Sequence, residues 1–313
     1  MKLIKPSFEI LEQLPGLEGM YKQIELAGRT CYRSTDKITE DSAKEFVDRM
    51  IKSGHGAMLE HGTVYLKYET ELVRGIQECD ILFNKYKNNK FSIYNTSRIE
   101  KRNNTIIGGY VTTNLRVLVE NDWMEDLQYI CEPTEYHERR HTVKFICDRG
   151  ILAEFTRHRS MSFAAESTRY CNYSKDKFGN EITCILPPWL SENDIPKGFG
   201  YTSDDWGSLI CEFYYEATEK GKSEGFTIEP VRNFVFALQT SEQLYFSLLK
   251  EGWKAQEARS VLPNALKTEL VMTGFESDWK HFFELRCPGS AHPQARELAI
   301  PLQEKFKELK WVD

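Results

Sequence analysis

Helix-type and strand-type hydrophobic patterns follow one another irregularly along this 313-residue chain. Apolar residues at helical spacing predict helices over 17–30, 39–53, 112–119, 123–130, 151–157, 204–222, 241–250, 254–260 and 277–285, and Pro293 opens a last helix. Alternating or β-branched runs predict strands over 63–68, 142–147 and 266–273. The order shows no regular βαβ alternation, and no GxGxxG motif follows a strand. We therefore expect an α+β fold, with a mixed or antiparallel sheet flanked by helices.

The composition is that of a soluble enzyme with a slight acidic excess. Lys and Arg number 41 against 47 Asp and Glu, a net charge of -6, which disfavours broad binding to nucleic acid or to anionic membranes. No apolar stretch reaches the length of a membrane span, and residues 1–5 do not begin a signal peptide. Cysteines are scattered without CxxC pairs, which is typical of free thiols in a reducing compartment. We expect a cytoplasmic protein with neither a membrane nor a nucleic-acid partner.

The segment 157–170 concentrates positive charge and hydroxyl groups. It holds Arg157, His158, Arg159 and Arg169, and Glu166 is its one carboxylate. Two unit charges ~4 Å apart repel by ~4 kcal/mol at a surface-like dielectric, so convergence of these arginines requires an anionic ligand. The planar guanidinium group suits phosphate because it donates paired hydrogen bonds. The segment therefore indicates a phosphate site, whereas an RHR motif on its own is more commonly a solvated helix face.

The same segment resembles the signature RHRxxSxNxxSxR of flavin-dependent thymidylate synthases. Ala164 stands where the signature has Asn, and the matching residues are Arg157, His158, Arg159, Ser162, Ser167 and Arg169. Further family elements follow in the same order: GHGAMLEH at 54–61, ARSVLP at 258–263, HFFELR at 281–286 and HPQAR at 292–296. The resemblance covers roughly 27–66 and 142–305. It implies a single domain over 1–313, with 67–141 as an inserted subregion.

The resemblance implies reductive methylation of dUMP to dTMP, with methylene-tetrahydrofolate as carbon donor and NAD(P)H as reductant through FAD. It also implies a homotetramer and no catalytic metal. Arg286 is the candidate catalytic residue, because a cation at the pyrimidine edge favours the ring's anion and directs electron density to C5. The residues implied to bind dUMP are Glu154, Arg157, Glu166, Ser167, Thr168, Arg169, Arg259 and Arg286. Those implied to bind FAD are Cys31, His55, Glu60, Arg157, His158, Arg159, Glu166 and His281.

Several positions depart from the family pattern. Glu154 stands where the family often has a uracil-contacting Gln, and a carboxylate cannot donate a hydrogen bond as an amide does. His281 occupies a flavin-contacting Asn position, and Phe275 replaces a polar residue. Ser167 lies in no GxSxG elbow and nothing marks Cys287 as activated, so we expect neither residue to act as a nucleophile.

Two other functions are compatible with single motifs. His137-Glu138-Arg139-Arg140-His141 fits the zinc-hydrolase pattern HExxH, in which two histidines on one helix face bind zinc. The two internal arginines and the β-prone run that follows argue against it. A non-catalytic nucleotide- or RNA-binding protein would instead use the basic residues of 85–102, with Phe91 and Tyr94 between them, to stack and neutralise bases. We expect residues 85–104 to form an exposed loop.

Overall fold

The computed structural model describes residues 1–71, 82–101, 104–169, 171–175, 179–191 and 230–313. The helix predicted over 204–222 lies outside them. The chain divides into two compact units. The first comprises Met1–Pro6, Asp148–Gly150 and Thr168–Lys267, and the second Ser7–Cys147, Ile151–Ser167 and Thr268–Asp313. A single domain over 1–313 stays a prediction, as does the interpretation of 67–141 as an insertion.

Helices and strands are mixed along the chain, which confirms the α+β class. The strands are β1 (Lys2–Ile4), β2 (Ser7–Leu11), β3 (Thr63–Glu71), β4 (Ile93–Lys101), β5 (Asn104–Asn114), β6 (Arg140–Asp148), β7 (Ser162–Ala165), β8 (Thr183–Ile185) and β9 (Lys267–Phe275). The α-helices are α1 (Gly16–Cys31), α2 (Ser42–Lys52), α3 (Gly56–Leu59), α4 (Leu115–Glu120), α5 (Arg149–Phe155), α6 (Pro230–Lys250), α7 (Ala255–Ala258), α8 (Glu276–Arg286) and α9 (Pro293–Glu308). Residues 82–87 are also helical. None of the described helices combines the length and the hydropathy that a membrane span requires.

A four-stranded sheet in the order β2-β6-β9-β7 organises the second unit. β2 pairs antiparallel with β6, and β7 pairs antiparallel with β9. Val143, Phe145 and Cys147 alternate along β6 and are fully buried, where they join Trp279 and Phe282 of α8 in one hydrophobic cluster. The alternation confirms the strand predicted over 142–147, and β9 confirms the one predicted over 266–273.

A second sheet, in the order β3-β5-β4, corrects two predictions for the subregion 67–141. Residues 85–104, which we expected to form an exposed loop, contain β4, and β4 pairs antiparallel with β5 along its length. The helix predicted over 112–119 begins only at Leu115, because β5 continues to Asn114. Exposed polar residues of β4, Arg98 and Glu100 among them, interrupt its apolar alternation. The hydrophobic pattern therefore did not predict this strand.

The helices that carry candidate residues form for local reasons. Met20, Ile24 and Ala27 make a buried stripe at helical spacing on α1, which ends at Cys31. Pro293 occupies the first turn of α9, where its missing N–H costs least, and the His292 side chain accepts a hydrogen bond from the Gln294 N–H. Both helices were predicted, α1 from this apolar stripe and α9 from Pro293.

The first unit is built around a parallel pair of short strands and a long helix. β1 pairs with β8 in parallel register. Leu238 and Tyr245 of α6 are buried in one cluster with Cys184 and Leu266. The helix predicted over 241–250 is the C-terminal half of α6, which begins at Pro230.

Candidate active site

Arg286, the last residue of α8, is held in place by three hydrogen bonds. Its Nη1 donates to Glu154 Oε2 at 2.7 Å, and its Nη2 donates to the Glu154 backbone oxygen at 2.7 Å. Its Nε donates to His158 Nε2 at 3.1 Å. The Arg286 side chain is 15% exposed and that of Glu154 is 30% exposed, so the ion pair borders solvent. A helix C-terminus favours a cation in general, but these bonds also fix the direction of the guanidinium group.

His158 is neutral beside this guanidinium group. Burial, together with the positive charge of Arg286, lowers the pKa of His158 to about 4. Because Nε2 accepts a hydrogen bond from Arg286, we assign the proton of the ring to Nδ1. The ring centroids of Phe282 and His281 lie 5.0 Å and 6.1 Å away. The structure thus brings together four predicted site residues: Glu154, His158, His281 and Arg286.

The end of the arginine segment contacts the end of α1. The Ser167 N–H donates to the Cys31 carbonyl at 3.0 Å. The buried Glu166 carboxylate lies 3.7 Å from Arg33 Nε. Burial raises the pKa of Cys31 to about 11, so its thiol stays protonated and is a poor nucleophile. Cys31, Glu166 and Ser167, predicted from separate parts of the sequence, therefore lie close together.

The remaining arginines of the segment point to solvent. Arg157, Arg159 and Arg169 are exposed. In the part of the chain that the structure describes, Arg157 and Arg159 form no ion pair. In the first unit, Arg259 Nη1 donates to the Thr168 hydroxyl at 3.1 Å, which orients an otherwise exposed guanidinium group. The exposed guanidinium groups of Arg157 and Arg159 can therefore donate to phosphate oxygens.

The GHGAMLEH element forms the short helix α3 and the turns on either side of it. His55 precedes α3 and is exposed. Glu60 follows α3, and its carboxylate forms an ion pair with Arg116. The Glu60 carbonyl accepts a hydrogen bond from Arg140 Nη1 at 3.0 Å. His55 and Glu60 therefore lie at opposite ends of one helical turn, and the Glu60 carboxylate already has a cationic partner.

A buried polar cluster around Arg140 was missed by sequence reasoning. Besides the Glu60 carbonyl, Arg140 donates to the hydroxyls of Thr63 at 3.3 Å and Ser162 at 3.2 Å. Burial lowers the pKa of Arg140 to about 10. In the same unit, burial lowers the pKa of His61 to about 3, and His61 Nδ1 lies 2.8 Å from the Thr273 hydroxyl. Ser162 matches the signature, and Glu60 and His61 belong to the GHGAMLEH element, so these two matches were the signals that could have pointed to the cluster.

The HExxH stretch does not form a zinc site. It is not helical, because β6 begins at Arg140. His137 Nε2 lies 3.0 Å from the Leu66 carbonyl, whereas His141 pairs with Glu276 at 3.0 Å. Among the described residues, no group of three or more His, Cys, Asp or Glu side chains is arranged to hold a metal ion.

A cavity of about 340 Å³ lies elsewhere in the second unit. It opens between the end of β2 and the start of β6, and its lining includes Tyr65, Arg139 and Trp311. None of the residues predicted to contact dUMP or FAD lines it. The Arg286 cluster is therefore the better candidate site, because it combines a fixed guanidinium group, a carboxylate and a neutral imidazole.

Comparison with known proteins identifies the family. Residues 137–310, more than half of the chain, match the family model described as "Thy1: Thymidylate synthase complementing protein". The chain belongs to this family. The matched region includes Glu154, the arginine segment, Arg259 and Arg286, whereas Cys31, His55 and Glu60 precede it.

Several relatives are named flavin-dependent thymidylate synthase. That of Corynebacterium aurimucosum is 21% identical over 287 residues, which is 91% of this chain and 75% of the relative. That of Corynebacterium efficiens is 27% identical over 160 residues, covering 51% and 54% of the two chains. That of Synechocystis sp. is 27% identical over 165 residues, covering 53% and 65%. The matches thus span three quarters of the first relative and between half and two thirds of the other two.

A solved structure also aligns with almost the whole chain. It is described as the UMP/dUMP methylase PolB from Streptomyces cacaoi bound with 5-Br dUMP. The alignment covers 99% of this chain and 93% of PolB, at 15% identity and a TM-score of 0.40.

Proposed function

We propose that this chain catalyses the reductive methylation of dUMP to dTMP, with methylene-tetrahydrofolate as carbon donor and NAD(P)H as reductant through FAD. The observation that carries the proposal is the family match over 137–310, which includes the arginine segment and Arg286. The relatives named flavin-dependent thymidylate synthase support it. The zinc alternative lacks its helix, and the net charge of -6 gives no support to a nucleic-acid partner.

The second unit suits an anionic flavin nucleotide beside a pyrimidine. Arg157 and Arg159 present exposed guanidinium groups that can donate to phosphate oxygens. His158 is neutral, so it can lie against a ring without adding charge. When bound, FAD supplies the hydride transfer that side chains cannot perform. The roles of the residues assigned to dUMP and FAD by family resemblance are part of this proposal.

Arg286 is the proposed catalytic residue because its guanidinium group is fixed before any ligand arrives. Preorganised donors stabilise a developing negative charge without a cost of reorganisation during the reaction. A cysteine nucleophile is not supported, because burial raises the pKa of both Cys31 and Cys287. The chain would therefore activate C5 of the pyrimidine electrostatically rather than through a covalent thiolate adduct.

Tritium release from [5-³H]dUMP by the purified chain tests this function. We expect release that requires FAD, methylene-tetrahydrofolate and NAD(P)H together. The Arg286→Ala variant should lose about 100-fold or more in kcat, as expected for removal of one preorganised charge-stabilising group, and should still show the flavin absorption bands. Release that is unaffected by omission of the flavin would overturn the proposed function, and full activity of the variant would remove Arg286 from the mechanism.

We also propose a homotetramer that works in the cytoplasm. The cysteines within the described residues are free thiols, which supports a reducing compartment. The tetramer is implied by the family resemblance.

A further inference from the structure

Arg33 closes helix α1 in a backbone conformation that usually belongs to glycine. Its N–H donates to the Thr30 carbonyl at 3.2 Å, and the Ser34 N–H donates to the Arg29 carbonyl at 3.0 Å, which is the hydrogen-bond pattern of a Schellman motif. The φ of Arg33 is 45°, in the left-handed region. A Cβ atom makes this region costly, and glycine avoids the cost because it has none. The helix end alone therefore favours glycine at this position.

Other helices of the chain end with the same motif and show what is particular to Arg33. α2 and α6 close with Gly54 and Gly252 in the left-handed position. α9 closes with Lys310, whose φ is 59° and whose exposed side chain makes no ion pair with the described residues. Arg33, by contrast, is partly buried and lies beside a carboxylate. A left-handed cation at a helix end is thus tolerated without such a contact, and the contact of Arg33 requires its own explanation.

The carboxylate beside Arg33 is that of Glu166, the one acidic residue of the arginine segment. Glu166 Oε1 lies 3.7 Å from Arg33 Nε, and the Glu166 side chain is 1% exposed. Transfer of a carboxylate from water to the protein interior is costly unless a cation or hydrogen bonds compensate it. The positive charge of Arg33 therefore stabilises the buried negative charge of Glu166.

The backbone around Glu166 is fixed as well. The Glu166 N–H donates to the Glu269 carbonyl of β9 at 2.8 Å, and the Ser167 N–H donates to the Cys31 carbonyl at the end of α1 at 3.0 Å. The ion pair with Arg33 adds a restraint on the side chain to these restraints on the main chain. Groups that are held in place before a ligand arrives bind it without an additional cost of ordering. Glycine in place of Arg33 would keep the helix end but lose this restraint, so the arginine serves the carboxylate rather than the helix.

We infer that Arg33 is a positioning residue of the dUMP site, which acts through Glu166. It holds the Glu166 carboxylate in place and supplies a positive charge that offsets its burial. The inference rests on the proposed function, because it assumes that Glu166 contacts bound dUMP. Its own basis is the ion pair together with the left-handed backbone at Arg33. The family resemblance assigned no role to Arg33, and the nearest residue that it marked was Cys31.

A double-mutant cycle, measured with saturating FAD, tests whether Arg33 acts through Glu166. Arg33→Gly should raise the KM for dUMP roughly tenfold and change kcat by less than about threefold, because a hydrogen bond to a charged group that is lost equally from bound substrate and transition state is expressed in KM. Glu166→Gln should have an effect of similar size. The double variant should have a KM within about threefold of that of Glu166→Gln alone, since Arg33 then has no carboxylate to position.

Three further variants separate this role from a contribution to the fold. Lys310→Gly makes the same kind of change in the Schellman motif of α9 and should leave the KM unchanged. Arg33→Lys keeps the positive charge and should retain a KM within about threefold of the wild type. Arg33→Gln removes the charge but keeps a long side chain, and it replaces Arg33→Gly in the cycle if circular dichroism shows that variant to be unfolded.

The outcomes separate the inference from the proposed function. The inference is overturned by an unchanged KM in Arg33→Gly, by an equal loss in Lys310→Gly or Arg33→Lys, or by effects that multiply in the double variant. Turnover of dUMP by the wild type leaves the proposed function in place in each of these cases. If the wild type carries flavin but neither binds dUMP in equilibrium dialysis nor turns it over, the proposed function is wrong and the inference fails with it. A rise in KM that Lys310→Gly lacks and that does not increase further in the double variant supports both.

Discussion

At the scale of single residues, the site depends on a histidine that does not carry charge. His158 accepts a hydrogen bond from Arg286, and only a neutral ring can do this. The signature match predicted that His158 belongs to the site, but its protonation state follows from burial and from a neighbour 128 positions away along the chain. Glu154 is a similar case. The sequence marked it as a departure from the family pattern, and only the structure shows its ion pair with Arg286.

The neutrality of His158 leads to a prediction about pH. Its pKa is about 4 in the folded chain, against 6.5 for an ordinary histidine. Because the unfolded chain binds the proton more tightly, the contribution of the neutral ring to stability is complete above about pH 6.5 and is lost as the pH falls toward about 4. His61, with a pKa of about 3, acts in the same direction.

Nitrogen NMR of ¹⁵N-histidine-labelled protein measures this directly. At about pH 5.5 the His158 ring should still be neutral, with its proton on Nδ1, although an ordinary histidine is mostly protonated at that pH. The signal is assigned by its disappearance in His158→Asn. Titration of His158 near its ordinary pKa, or a proton on Nε2 at neutral pH, would contradict the described hydrogen bond.

At the scale of secondary-structure elements, partly buried Arg140 connects three parts of the second unit. It donates to the carbonyl after α3, to the first residue of β3 and to the first residue of β7. Hydrogen bonds from a charged donor contribute roughly 1.5–3 kcal/mol each, and bonds that share one donor group are not additive. We expect Arg140→Ala to lower the free energy of unfolding by about 3 kcal/mol or more.

The neighbouring arginine supplies the control for this prediction. Arg139 is exposed, and Arg139→Ala should change the free energy of unfolding by less than about 0.5 kcal/mol. Urea denaturation of both variants, followed by far-UV circular dichroism, measures the difference. Equal stability of the two variants would show that the Arg140 hydrogen bonds do not hold these elements together.

The elements that could be predicted from sequence are those whose periodicity is set by a single buried face. The helical stripe of α1 and the buried alternation of β6 are examples, and both lie within the predicted ranges. β4 was missed because its exposed polar residues interrupt the pattern, and the start of α4 was placed too early because β5 runs into it. Strand pairing depends on partners distant in sequence, and no local pattern contains that information.

At the scale of the whole molecule, the order of the motifs along the chain was the strongest indication of the family. The motifs at 54–61, 157–169, 258–263 and 281–286 stand in the order of one family, and the family match over 137–310 confirms the resemblance for the last three. The contacts among candidate residues, such as Ser167 with Cys31 and Glu154 with Arg286, could not be predicted because they join segments far apart in sequence. For the cluster around Arg140, the sequence marked Ser162, Glu60 and His61 through family motifs but gave no sign that Arg140 connects them.

The central claim is that Arg286 faces the pyrimidine of a bound nucleotide. A crystal structure of the chain with FAD and dUMP tests it most directly. We predict an Nη atom of Arg286 within about 3.2 Å of a pyrimidine oxygen or nitrogen, with His158 still hydrogen-bonded to Nε. A well-ordered dUMP whose base lies away from Arg286, with the Glu154–Arg286 ion pair facing bulk solvent, would contradict the account.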